Sequence, residues 1–133
     1  MNPIRWLCPL LLAYLAFGAD QKPERTYEMT TYIMGLLRKG PGWTAADTPE
    51  TQRLQAAHMA NIKKMADTGK LIVAGPFGDS GDFRGVFIFE KVSFDEARAM
   101  VAGDPAVKSG RLIVDLHPWF AAAGLRVNPP TTK

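Results

Sequence analysis

Between Gln55 and Phe77 the chain changes character once, abruptly, and that change limits the folds open to it. Up to Thr68, apolar residues recur at helical spacing. Leu54, Ala57, Ile62, Met65 and Ala66 share one face, while Arg53, Lys63, Lys64 and Asp67 take the other. Gly69 supplies the left-handed residue that closes a helix. Leu71 to Ala74 then run without polar alternation, the pattern of a central strand buried on both faces. His58 lies on the apolar face of the helix, four residues after Leu54 and four before Ile62, with Asn61 beside it.

The flanking segments extend this reading. Thr26 to Leu37 is rich in aromatic, Thr and β-branched side chains, and Tyr27, Met29, Thr31 and Ile33 alternate with Glu28, Thr30, Tyr32 and Met34, which predicts a first strand with large side chains on both faces. Arg38 to Asp47 is a loop on its glycines and proline, and Trp43 within it is either an apolar plug or part of a lid over a pocket. Thr48-Pro49-Glu50 starts the helix: a capping hydroxyl, a proline where no N–H is needed, and an acid at the positive end of the dipole. After Leu71–Ala74, Gly75-Pro76 ends the second strand, residues 78–82 turn, and Val86 to Glu90 forms a third strand in a hairpin with the second. Ser93, with Glu96 three residues on, opens a second helix whose buried face is Phe94, Ala97, Met100 and Val101. Gly103 stops it, Asp104-Pro105 starts a single helical turn, and Arg111 to Leu116 forms the last strand. His117 to Phe120 leaves that strand.

The order is β-α-β-β-α-β. It predicts an α+β, ferredoxin-like domain: an antiparallel four-stranded sheet with two helices on one face. Two helices cannot cover both faces of such a sheet, and the strands are apolar on both, so a homodimer with the sheets facing each other is expected. The domain spans residues 26–120, after a linker at 19–25 and before a tail at 121–133 that reads as disordered from Asn128.

Residues 1–18 read as a secretory signal peptide. A short basic start precedes the 12 apolar residues Trp6–Phe17, and small residues follow, with cleavage expected after Gly18 or Ala19. Twelve apolar residues are too few to span a hydrocarbon core of about 30 Å. The expectation is export to the periplasm or the exterior, with no membrane attachment after cleavage. Cys8 leaves with the leader, so the mature chain has no cysteine for disulfides, thiol catalysis or thiolate metal sites. The net charge of +3 falls to +2 without Arg5, and no basic stripe with interleaved aromatics is present, so no nucleic-acid partner is expected.

Among the candidate site residues, His58 is either a core-edge histidine bonded to a carbonyl or a general acid/base. The second role needs an orienting carboxylate, and Asp104 is the candidate because its connection follows the other helix on the same face. Its alternative role is an N-cap. His117 reads as structural, and no spacing of His and Glu suggests a metal; no cofactor is expected. The glycine-rich stretch from Gly75 to Gly85 joins two strands without opening a helix, so it is no phosphate loop. Arg84 is the best-placed cation for an anionic substrate, with solvated surface charge as its alternative.

His58-Met59-Ala60-Asn61-Ile62, Gly69-Lys70-Leu71, Ala74-Gly75-Pro76-Phe77, Phe94-Asp95-Glu96-Ala97, Asp104-Pro105-Ala106-Val107 and Gly110 occur in that order. In this the chain resembles the YCII-related proteins over about Tyr27 to Trp119. The resemblance implies a ferredoxin-like fold pairing into a dimeric α/β barrel similar to that of muconolactone isomerases. It also implies a His/Asp active site, carried here by His58 and Asp104. One branch of the family is linked to dehydrochlorination of a chlorinated hydroxyquinol. The leader and the longer loop from Leu36 to Asp47 with Trp43 depart from its small cytoplasmic members.

The reading that follows is an exported lyase or isomerase acting on a small cyclic or aromatic compound. His58 shuttles the proton, Asp104 holds its tautomer, and Arg84 or the Gly75-Pro76 backbone positions a substrate oxyanion, beside Trp43. The alternative is a non-catalytic dimer that binds a small ligand, with His58 and Trp43 only lining its pocket. A purely structural module leaves the polar His58–Asn61 pair on a buried face unexplained.

Overall fold

The computed structural model describes residues 24–127. The expected signal peptide, most of the linker and the tail from Asn128 lie outside the described residues. Within them the order is β1 (Met29–Lys39), α1 (Pro49–Asp67), β2 (Leu71–Pro76), β3 (Phe83–Phe89), α2 (Phe94–Ala102), α3 (Pro105–Lys108) and β4 (Leu112–Ala122). The strands form one antiparallel sheet in the order β2-β3-β1-β4. This is the ferredoxin-like α+β arrangement, with an open sheet. No helix among the described residues is long and apolar enough to cross a membrane.

The helix boundaries follow local chemistry. Thr48 caps α1 by accepting the Thr51 N–H, and Thr51 Oγ1 accepts the Thr48 N–H in return, a reciprocal pair that satisfies two end donors. Gly69, at φ +76°, takes the left-handed position after α1. Ser93 caps α2 through the Glu96 N–H, while the Glu96 carboxylate ion-pairs with Lys70. Asp104 caps the short α3 through the Ala106 N–H.

One face of the sheet meets the helices. Ile33 and Leu37 of β1, Phe87 and Phe89 of β3, Leu71 of β2 and Leu112 of β4 pack with Met65 of α1, Ala97 and Val101 of α2 and Ala106 of α3 in one core. Ala66, assigned to the buried face of α1, is exposed.

Several strand expectations need correction, among them β3, which begins at Phe83 rather than Val86 and ends at Phe89. Leu71–Ala74 is not a central strand: β2 lies at the sheet edge, paired only with β3. Nor are both of its faces buried: Leu71 is buried, but Ile72 and Val73 are half-buried and Ala74 is exposed, since an apolar run fixes neither lateral pairing nor full cover. β2 also runs on through Gly75 and Pro76, which an edge strand tolerates because one row of its N–H groups needs no partner. β1 begins at Met29 rather than Thr26 and continues through Arg38 and Lys39, which shortens the following loop. β4 does not end at Leu116. It continues to Ala122, with His117, Pro118, Trp119 and Phe120 opposite Met34, Ile33, Tyr32 and Thr31. It too is an edge strand, so Pro118 is accommodated.

The other face carries Tyr32, Met34 and Leu36 of β1, Val86 and Ile88 of β3, and Trp119, whose ring lies 5.8 Å from that of Tyr32. The chain after β4 folds back onto part of it. The Tyr32 hydroxyl donates to the Ala122 carbonyl at 3.3 Å and accepts the Leu125 N–H at 3.1 Å, and Arg126 ion-pairs with Glu90. Tyr32 is buried as a result, so the start of the expected tail is ordered structure fastened to the sheet.

Candidate active site

At one end of the sheet, where β1 and β2 finish and β3 and β4 begin, the gap beneath α1 is not filled. A cavity of ≈ 270 Å³ remains between α1, the sheet and the loop that follows β1. An engineered cavity of about 150 Å³ takes a benzene, so this one has room for a single substituted ring. Its apolar lining is Leu37, Phe87 and Leu112 from the sheet with Met59 and Ile62 from α1.

His58 is on this wall. It sits in the middle of α1 on the buried face, and its ring stacks at 29° against Phe87 with centres 6.3 Å apart. Its Nδ1 lies 2.9 Å from both carboxylate oxygens of Asp104. Asp104 reaches it because α3 packs against α1, bringing the start of α3 beneath the middle of α1. The helix-capping role and the histidine-orienting role, alternatives when read from sequence, are held by the same carboxylate. Its Oδ1 accepts the Ala106 N–H at 2.8 Å, and its Oδ2 accepts the Asn61 side-chain N–H at 2.9 Å.

Asp104 is 0% exposed, and every described buried side-chain polar atom has a partner. Burial pushes its carboxyl upward, but the hydrogen bonds from His58 and Asn61, the charge interaction with His58 and the Ala106 N–H outweigh it. The net result is a carboxyl held below its ordinary value. An ionised carboxylate only accepts, so the hydrogen of the neutral imidazole is on Nδ1. In the neutral ring the lone pair is then on Nε2, the nitrogen turned away from Asp104, the arrangement by which a buried carboxylate orients a histidine as a base.

The other sequence candidates gather here as well. Gly75, Pro76, Arg84 and Trp43 all line the cavity with His58. Pro76 has no N–H, so it cannot donate to an oxyanion. Arg84 belongs to β3 and is half-buried, with its guanidinium carbon 4.9 Å from the centre of the Trp43 ring. Trp43 packs against the core from its loop and closes one side of the cavity. His117 is exposed on the opposite face of the sheet, away from this site.

Sequence reasoning missed Arg111, Gln55 and Met59 as lining residues, and it read Asn61 only as a neighbour of His58. Met59 and Gln55 are exposed positions of α1 that only the adjoining loop turns into a wall. Arg111, read as the first residue of the last strand, lies just before β4, where the loop after β1 rests against it. Among the described residues, no three His, Cys, Asp or Glu side chains cluster as a metal would require.

The family model for the YCII-related domain matches residues 32–119. Among solved structures, the chain is similar to a 5-chloro-2-hydroxyhydroquinone dehydrochlorinase from Burkholderia phenoliruptrix, in complex with 2,5-dihydroxybenzoquinone. The identity is 26% and the TM-score 0.49, over 66% of this chain and 92% of that one. No curated protein sequence matches.

Proposed function

The chain belongs to the YCII-related domain family, and on that footing we propose that it is a lyase or isomerase acting on a small ring compound. The observation that carries the proposal is the saturated Asp104 carboxylate behind a histidine that lines a one-ring cavity. Three donors fix the carboxylate, the carboxylate fixes the imidazole, and Nε2 faces the ligand with its lone pair available. His58 then takes a proton from a carbon or hydroxyl of the bound ring. In a lyase the freed electron pair expels a leaving group from the neighbouring carbon, and the proton departs with it or to solvent. In an isomerase the pair shifts along the ring, and His58 returns the proton at another carbon. Asp104 stabilises the imidazolium in between without itself being protonated.

Two further readings belong to the same proposal. The part of the sheet face left uncovered by the C-terminal segment packs against a second copy of the chain. The protein is exported, on the leader-like pattern of residues 1–18. Cell fractionation with mass measurement of the mature N-terminus tests export, and a mature mass that retains residues 1–18 sinks it.

The catalytic proposal is tested with hydroxylated, carboxylated and chlorinated single-ring compounds, by following proton exchange from deuterated solvent and product formation by NMR. His58→Gln is expected to retain the fold and to lose at least about 10²-fold in rate. A folded His58→Gln protein with undiminished turnover refutes it. Binding without exchange or conversion across the panel favours the ligand-binding alternative.

A further inference from the structure

The loop Gly40–Asp47 is held against the start of β4 by its backbone. Gly40 N–H donates to the Arg111 carbonyl at 2.9 Å and Gly42 N–H to the Gly110 carbonyl at 2.9 Å. A Cβ on Gly40 would stand 2.1 Å from the Gly110 carbonyl oxygen, so the approach requires glycine there. The consequence is that Trp43 and Arg111 are presented together. The Arg111 guanidinium carbon is 4.4 Å from the centre of the Trp43 ring, and its Nη1 donates to the Thr44 carbonyl at 2.9 Å. Arg84 approaches the same ring at 4.9 Å, and Lys39 Nζ at 5.7 Å.

These three cations share one indole, and none has a carboxylate within ion-pairing distance among the described residues. Arg38, Arg98 and Arg126, by contrast, each have an acidic partner. Arg84 bonds only to the carbonyls of Asp79 and Gly81, and Lys39 to that of Ser80. The indole face accommodates the guanidiniums by cation–π attraction but does not neutralise them. Two of the three, Arg84 and Arg111, line the cavity that His58 also lines. The site's fixed positive charge is therefore concentrated opposite an apolar wall, with the proton-accepting nitrogen alongside.

We propose that Arg84 and Arg111, stacked on Trp43, form an anion clamp that selects a single-ring substrate bearing a carboxylate or an ionised hydroxyl. This rests on the catalytic reading of the same cavity and deepens it: the ring lies on the apolar lining with its reacting atom at His58, and its anionic group is directed to the clamp. Guanidiniums suit this task because they remain charged at any working pH and offer paired donors to two oxygens. For an ionised hydroxyl they also lower the cost of the negative charge that proton removal spreads into the ring.

The test is calorimetric binding of benzoate, neutral benzamide, and 4-nitrophenolate at pH 8, to the wild-type protein and to Arg84→Gln, Arg111→Gln, Arg111→Lys and His58→Gln. The wild type is expected to bind at least one of the two anions at least tenfold more tightly than the amide, with affinity falling as salt rises. Preference for benzoate or for phenolate identifies which anionic group the clamp takes. Arg84→Gln and Arg111→Gln should each lower anion affinity about tenfold and leave the amide unchanged, while Arg111→Lys recovers part of the loss. His58→Gln should retain the anion preference. That separates the two readings, because loss of turnover without loss of anion selection belongs to His58 alone. Equal affinity for acid and amide, no binding of either anion, or a preference untouched by both Gln variants in folded protein overturns the clamp.

Discussion

Replacing Asp104 tests the centre of the argument, because this carboxylate caps a helix and orients the histidine at once. In Asp104→Ala three donors lose their acceptor: His58 Nδ1–H, the Asn61 amide and the Ala106 N–H. Asn61 is half-buried and can turn towards water, whereas His58 and Ala106 are buried at 7% and 2% exposure. Each buried donor left unsatisfied costs about 1–3 kcal/mol. Two of them, with the lost packing, give a destabilisation of about 3–5 kcal/mol. For a domain of this size that corresponds to a fall in Tm of roughly 15–30 °C.

Asp104→Asn keeps the shape and can still accept from the Ala106 N–H. Its NH₂ group, however, then takes the place of Oδ2, the oxygen that accepted from both His58 Nδ1 and the Asn61 amide, and needs an acceptor there. The imidazole moves its hydrogen to Nε2, so the variant is expected to lose only about 1–2 kcal/mol while turnover falls by about 10³ or more. Urea denaturation measures the first effect, and ¹⁵N shifts of the imidazole report the tautomer without a substrate. Acid adds a further check. The native carboxyl is held below its ordinary value of 3.8, so the unfolded chain binds the proton more readily in that range. The wild type therefore carries stability from Asp104 above about pH 5 and loses it as pH falls through the native value, and Asp104→Asn lacks this loss. An Asp104→Ala protein within about 1 kcal/mol of wild type, or an Asp104→Asn protein with Nδ1 still protonated, is incompatible with Asp104 acting as both cap and histidine orienter.

Two other predictions concern packing and assembly. A Cβ on Gly85 would stand 2.6 Å from the Gly75 carbonyl oxygen and 3.3 Å from the Pro76 Cα, both backbone, so Gly85→Ala should cost about 1–3 kcal/mol in urea and distort the cavity. Gly75→Ala, whose Cβ meets nothing within 4 Å, is the matched control and should be nearly neutral; equal effects from the two contradict the close strand approach. The uncovered sheet face, with Ile113 36% exposed on it, predicts a dimeric mass by light scattering, and a monomer at micromolar concentration contradicts that prediction.

Local features were legible because their causes lie within a few residues. The cap at Thr48, the stop at Gly69 and the placing of His58 on the inner face of α1 follow from spacing and backbone geometry alone. The order β-α-β-β-α-β was readable for the same reason, and with it the fold. Strand lengths were not. β4 continues through Pro118 to Ala122 because β1 is there to pair with it, and backbone pairing leaves no mark on the side-chain pattern of an edge strand.

The site divides along the same line. That His58 lies on the buried face of α1 is a statement about one helix face and is legible in the spacing, whereas whether a carbonyl or a carboxylate meets it there is not. That Asp104 is within 2.9 Å of that ring depends on α3 packing against α1. The pairing of Trp43 with Arg84 and Arg111 was further out of reach: it brings together a loop, the beginning of β3 and the beginning of β4, segments up to 68 positions apart. Only the antiparallel sheet, by bringing the end of β1 alongside the starts of β3 and β4, sets those cations around one indole at the mouth of one cavity.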